Sequence, residues 1–279
     1  MAVGRGRGLT YTWASMPEVD RGGCTLSWEA RGPERATPVL MVMGLGLSSR
    51  AWGALPERLA ERFRVVTFDN RGTGRSTRGR GLYRVADMAD DAAAVLEAAG
   101  HARAAVFGMS MGGMIALELA ARHPSRVRAL ALGCTFARWL GAAHPAASAL
   151  ADFARVIVKP RGSRATMARL LVSDGFYARD RAAFDAWLAR GEHAAIGTAL
   201  RQVAAVMRHD VSPRLGALSA PTLILSGDRD RLVPVENSRR LARAIPNARL
   251  AELRGAGHCF ALEQEQEVVR LLSEHFTDN

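Results

Sequence analysis

Cysteine is scarce in this chain of 279 residues. There are three, Cys24, Cys134 and Cys259, odd in number and far apart. They offer neither a disulfide framework nor a metal-ligand spacing, which points to a reducing compartment, the cytoplasm. Lysine is nearly missing: Lys159 is the only one, so the formal net charge of +11 is carried by arginine. No apolar run approaches the ~18 residues of a membrane span. The Arg/Gly-rich start, Met1 to Gly8, is not followed by the apolar core of a secretory signal. HExxH is absent, as is any other metal-ligand cluster, so no metal and no cofactor is expected. A basic balance can signal a nucleic-acid partner, but here the arginines are scattered and no nucleic-acid motif accompanies them. The abundance of Ala, Arg and Gly fits the coding bias of a GC-rich genome. One basic segment, with Arg155, Lys159, Arg161, Arg164 and Arg169, leaves an acidic substrate or acidic carrier protein open as a partner. Its plainer reading is a solvated face.

What is present suits a globular protein, with 48% hydrophobic residues and length for one large core plus an insertion. Strand patterns fall at 25–31, 38–43, 64–68, 104–107 and 127–132, with helical periodicity over 51–62, 85–99 and 111–122 between them. Alternating strands and helices predict a mostly parallel sheet covered on both faces, an α/β fold. The rhythm breaks from about Phe136 to Leu215, where helical stretches rich in Ala, Leu, Phe and Trp replace strands. It resumes with strands at 221–226 and 248–253 and helices at 235–245 and 262–276. The chain therefore divides into a core, 1–135 with 216–279, and a helical insertion, 136–215. No internal repeat or low-complexity linker is evident.

Gly108-Met109-Ser110-Met111-Gly112 lies at the junction of a buried strand and a helix. A serine flanked by glycines there is the nucleophile-elbow pattern. The turn is tight enough that its flanks leave no room for a Cβ. It would lift the Ser110 hydroxyl from the sheet edge and aim the Met111 N–H at the same space.

A serine hydroxyl needs a base to attack at neutral pH, and the base needs an orienting acid. Six histidines, His101, His123, His144, His193, His209 and His275, lie in helices or charged stretches and read as surface residues. His258 differs. It sits in the loop Gly255-Ala256-Gly257-His258, directly after a strand, where parallel sheets place their sites. The acid should precede it, and the loop beginning Gly227-Asp228-Arg229-Asp230 follows the strand before. Asp228, next to the glycine, reads as a turn residue; Asp230 is the expected partner of His258. The oxyanion formed in acyl transfer needs two backbone N–H groups. Met111 supplies one. The loop Met43-Gly44-Leu45-Gly46-Leu47 should supply the other, from Leu45.

Together these features resemble the α/β-hydrolase superfamily, from about Thr25 to the C-terminus. Order and spacing carry the resemblance more than any one motif. The turn Asp69-Asn70-Arg71-Gly72-Thr73-Gly74-Arg75-Ser76 looks like a structural turn of that family. It is no phosphate loop, because no Gly-Lys-Ser/Thr follows. The insertion matches the family's cap, which closes over the site. Met43-Gly44 stands where many members carry His-Gly, which keeps a backbone donor and removes an imidazole.

The resemblance implies a serine hydrolase acting on a carboxylic ester or related acyl bond of a small, partly apolar molecule, through an acyl-enzyme. Thioesterase and lactonase chemistry use the same residues. A lyase, cyclase or elimination catalyst with the same site, and a non-catalytic binding protein, are the other readings. Trp139, Phe153, Phe176, Trp187 and Met207 of the insertion either line an apolar acyl pocket or pack the insertion's own core.

Overall fold

The computed structural model describes residues 16–159 and 164–279. The Arg/Gly-rich segment Met1 to Gly8 and Arg161 lie outside the described residues. Among the described residues, eight strands make one sheet: β1 (Glu18–Asp20), β2 (Thr25–Arg31), β3 (Pro38–Val42), β4 (Arg64–Phe68), β5 (Ala104–Met109), β6 (Val127–Gly133), β7 (Thr222–Gly227) and β8 (Arg249–Leu253). Their spatial order is β1-β2-β4-β3-β5-β6-β7-β8. The pairs β1–β2 and β2–β4 are antiparallel and every other pair is parallel.

The central strands are continuous apolar runs because both their faces are covered. In β3 and β5, Leu40, Val42 and Val106 face one side, while Val39, Met41, Ala105 and Phe107 face the other. The first side is packed by α2 (Val85–Ala98), α3 (Met111–Arg122) and α9 (Glu236–Ala244). The second is packed by α1 (Leu55–Ala60) and α11 (Glu265–Asp278). Between β6 and β7 the chain runs through α4 (Ala147–Val158), α5 (Arg164–Leu171), α6 (Asp174–Arg179), α7 (Arg181–Arg190) and α8 (Ile196–Met207), and α10 (Phe260–Glu263) precedes α11.

Four features differ from the sequence reading. The helix expected over 51–62 begins only at Leu55, because Gly53 at φ 65° breaks it after a 3₁₀ turn at Ser49–Trp52. The helix expected over 262–276 is two helices, split where Gln264 leaves helical geometry (φ −137°, ψ 48°). Strand β1 has three residues and no buried one, so it carried no apolar signal. His209 and His275, read as surface residues, are buried. His275 Nε2 lies 3.0 Å from the Leu130 carbonyl, which satisfies one ring nitrogen; His209 Nδ1 faces Glu118 of α3 at 3.6 Å, beyond hydrogen-bond range, and its Nε2 has no hydrogen-bond partner among the described residues.

The close seat of α3 on the sheet places the elbow. A Cβ on Gly112 would stand 1.9 Å from the Val42 carbonyl oxygen, and one on Gly108 would stand 2.2 Å from that of Gly112. Both obstacles are backbone and cannot swing aside. Gly112→Ala is expected to destabilise by about 3 kcal/mol and to lower Tm by on the order of 10 °C. Gly216→Ala, with open space around its Cβ, should leave Tm unchanged; thermal denaturation of the two variants checks the contrast.

Burial, helped by the Arg214 charge and opposed by that of Asp210, holds His209 down to about 4. The unfolded chain takes up this proton near pH ~6.5. Stability should therefore fall as pH drops from about 6.5 to about 4, with no contribution from His209 above that window. Denaturant midpoints of the wild type and His209→Gln, measured across this window, should diverge, the variant losing less stability on acidification.

Candidate active site

Ser110 stands at φ 57°, ψ −121°, between β5 and α3. This left-handed conformation costs a serine on the order of 1–3 kcal/mol, so surrounding bonds must impose it. Its N–H donates to the Gly133 carbonyl at 2.8 Å, and Thr135 Oγ1 donates to its carbonyl at 2.8 Å. The hydroxyl-bearing residue is half-buried, while its neighbours on both sides are buried. Met111 opens α3, and its N–H finds no acceptor among the described residues.

His258 is 3% exposed. Its Nδ1 lies 2.7 Å from Asp230 Oδ2. The other carboxylate oxygen of Asp230 accepts the N–H groups of Leu232 and Val233, each at 2.8 Å. The carboxylate is thus held from three directions and holds the ring in turn. Asp228, the competing acid, accepts the Gly255 N–H at 2.7 Å and stays with the turn. The two loops touch at backbone distance: a Cβ on Gly227 would stand 2.2 Å from the Ala256 carbonyl oxygen.

The glycine loop after β3 crosses directly beside the serine. A Cβ on Gly44 would meet the Met109 carbonyl at 3.2 Å and Ser110 Cβ at 3.3 Å. Asn70 Nδ2 donates to the Met43 carbonyl at 2.8 Å and anchors the start of the loop. The Leu45 N–H, like that of Met111, has no acceptor among the described residues. The structure brings Leu45, Ser110, Met111 and His258 to one cavity. It does not join Ser110 Oγ to His258 Nε2 by a hydrogen bond; the partner at Nε2 is the Cys134 thiol, at 3.9 Å.

That cavity measures about 280 Å³. Among the described residues no Asp, Glu, Lys or Arg lines it; apart from Ser110 and His258, its walls are aliphatic and aromatic, with His144, His193 and Cys259 as the other polar or sulfhydryl groups. Of the expected pocket residues, Trp139, Phe153 and Met207 line it. Phe176 and Trp187 do not. They pack among α5, α6 and α7, where Trp187 Nε1 also donates to the Ala51 carbonyl at 2.8 Å, so their area is spent within the core.

Several contributors escaped the sequence reading. Glu263 accepts the Gly257 N–H at 2.7 Å, the Ser173 N–H at 3.1 Å and the Ser173 hydroxyl at 2.5 Å, tying the His258 loop to the start of α6. Burial pushes its carboxyl upward in pKa. Asn237 pairs both ways with the backbone of Ala143, at 2.8 Å each, and fixes the loop carrying Trp139 and His144. Gln202 of α8 accepts the Gly46 N–H at 2.7 Å. No spacing or motif marks these residues, because each acts on a backbone group distant in sequence.

Cys134, Asp230 and His258 bring one donor atom each within 4.8 Å of one another. The set suits a metal poorly, since Asp230 and His258 are committed to each other and Cys134 is held as a neutral thiol. Burial, reinforced by the Asp230 charge, pushes that thiol well up. Burial likewise raises Cys24 and Cys259. The native protein at pH 8 should therefore fail to react with Ellman's reagent over minutes and release three thiols per chain in denaturant.

A model of the alpha/beta hydrolase fold matches residues 37–166 and 178–265. The chain belongs to the α/β-hydrolase fold family. It is 33% identical over 264 residues to a protein of Azorhizobium caulinodans provisionally named carbamate hydrolase RutD, covering 88% of this chain and 92% of that one. It is 34% identical over 251 residues to a pimeloyl-[acyl-carrier protein] methyl ester esterase of Chromobacterium violaceum, covering 88% and 94%. Among solved structures, an esterase from Thermogutta terrifontis superposes with a TM-score of 0.79 at 28% identity, covering 94% of this chain and 97% of that one. The enol-lactonase of Burkholderia xenovorans superposes with a TM-score of 0.83 at 24% identity, covering 94% and 100%, which is a likeness of fold.

Proposed function

We propose that this chain hydrolyses carboxylic esters of small, partly apolar acyl groups through an acyl-enzyme on Ser110. The observation that carries the proposal is the Asp230–His258 pair at 2.7 Å opening on the same cavity as a strained serine and two unspent backbone N–H groups. Ser110 Oγ attacks the ester carbonyl as His258 Nε2 takes its proton. Asp230 holds the Nδ1–H tautomer and stabilises the imidazolium. The Leu45 and Met111 N–H groups receive the oxyanion. His258 then protonates the leaving alcohol, and water, deprotonated by His258, releases the acid. The Ser110–His258 hydrogen bond forms when Nε2 exchanges the Cys134 thiol, a weak donor, for the serine hydroxyl; such bonds tighten when substrate fills the site.

The uncharged wall favours a neutral acyl group, since an ionised one would be desolvated there without a partner. Both relatives bear names of enzymes that cleave acyl bonds, which supports hydrolysis over lyase or cyclase chemistry. A carrier-linked substrate, as in the second relative's name, would have to meet the basic segment of the insertion. Arg155 and Arg169 there both engage Asp152, and Arg164 engages Asp185, so much of that charge is answered internally. A free small-molecule ester is the better fit.

We read 136–215 as a cap over a core formed by 1–135 and 216–279. The three unpaired, buried cysteines favour the cytoplasm, and no helix among the described residues is long and apolar enough to cross a membrane.

A panel of p-nitrophenyl esters of increasing chain length, acyl thioesters and lactones tests the proposal. Ser110→Ala should lose at least ~10³ in ester turnover. Asp230→Asn should also lose most activity, whereas Asp228→Asn should keep kcat within a few-fold. Full turnover by Ser110→Ala would refute the mechanism.

A further inference from the structure

The loop expected to present the Leu45 N–H is held at its start by the core and at its end by the cap. Gly46 donates its N–H to Gln202 Oε1 at 2.7 Å and accepts the Ala194 N–H at 2.8 Å. Ser48 donates to the Glu192 carbonyl at 3.3 Å, and Leu47 bridges His193 in antiparallel fashion. All of these partners lie in the last stretch of the cap, from the end of α7 through α8. Gln202 is fully buried. Its other end, Nε2, donates to the Arg71 carbonyl at 3.3 Å. Arg71 is itself clamped by Asp91, with Nη2 to Oδ1 at 2.7 Å. One amide therefore spans from a cap helix to two core loops. An aliphatic side chain would fill the same space at less desolvation cost, so the polar ends mark a geometric task.

That task concerns the residue beside Gly46. Gly46 sits at φ 73°, Gly44 has no side chain, and the Leu45 amide has no partner of its own among the described residues. Asn70 fixes the chain at Met43, three residues before Gly46. Release of the Gly46 end would leave the Leu45 peptide free to rotate about two glycines, and a mis-aimed N–H stabilises an oxyanion poorly.

We propose that Gln202 is a positioning residue for hydrolysis: by accepting the Gly46 N–H while anchored on the Arg71 carbonyl, it sets the direction of the Leu45 N–H. The oxyanion hole is then completed by the seating of the cap. Substrates that seat the cap gain catalytic power, and a cap displaced at α8 carries a disabled hole. This inference rests on the reading of Ser110 as an acylated nucleophile.

The test compares Gln202→Met and Gln202→Glu with wild type on p-nitrophenyl butyrate and its thiono analogue, in which C=S replaces C=O. Sulfur is a larger and weaker hydrogen-bond acceptor, so the thiono ester draws little help from the hole. Gln202→Met should lower kcat for the ester about 10–100-fold, less than deleting a donor outright, with KM within about threefold. It should also lower the ester-to-thionoester ratio of kcat by about tenfold. Gln202→Glu, whose buried carboxylic acid can accept from Gly46 and donate to Arg71, should stay within about threefold of wild type. If Gln202→Met is insoluble, Gln202→Asn, one methylene short of Gly46, carries the same test. An unchanged kcat, or a reduced kcat with an unchanged ester-to-thionoester ratio, would overturn the positioning role while Ser110→Ala remains inactive. Retained turnover in Ser110→Ala would overturn both this role and the hydrolase reading.

Discussion

The closeness of α3 to the sheet is the constraint on which the remainder of the site depends. Helix and strands meet at backbone distance through Gly108 and Gly112, with a further tight approach of Gly113 to Thr135. Such proximity leaves the chain no room for an ordinary turn, and Ser110 takes the left-handed conformation as a result. The strain has a use: it presents the hydroxyl on a rigid shelf and turns the first free N–H of α3 to the same side. Neighbouring groups share the task of holding it, since Gly133 takes the Ser110 N–H and Thr135 takes its carbonyl.

Around this shelf, loops from four strand ends are locked to one another by backbone contacts and buried polar side chains. The Asp230 and His258 loops interlock at Gly227 and Ala256, and Glu263 ties the second of them to Ser173 before α6. Cys259 adds a bond from its N–H to the Leu171 carbonyl, at 2.6 Å. The helices between β6 and β7 are thus fastened to the histidine loop on one side and to the glycine loop on the other. Among the described residues the cavity wall carries no charged side chain, so the strong electrostatics there come from the His258–Asp230 pair and the Leu45 and Met111 amides. In such low-dielectric surroundings these interactions count for more than they would in water.

Much of this was legible beforehand. The alternation of strands and helices, the break after β6 and the resumption at β7 all followed from hydrophobic period, because a doubly covered parallel sheet demands continuous apolar strands. Ser110, His258 and Asp230 were legible as candidates because each sits just past a strand in a loop with glycine, in the chain order Ser, Asp, His. What failed had a physical cause in each case. Phe176 and Trp187 are as apolar as Phe153, and composition does not say which aromatic faces a void and which a neighbour. His209 and His275 lie in segments with polar neighbours, and their burial is decided by what packs over them in the fold. Glu263, Gln202 and Asn237 are ordinary polar residues until the backbone groups they satisfy are known.

The sequence by itself determined the sheet, the inserted helices and three candidate site residues, because periodicity and turn chemistry are local properties of the chain. Only the tertiary structure decided which acid meets the histidine, which aromatics bound the cavity, and how the helices between β6 and β7 grip the loop beside Ser110. Those depend on contacts between segments far apart along the chain, such as Gly46 with Gln202, whose geometry is set by packing that no short stretch of sequence encodes.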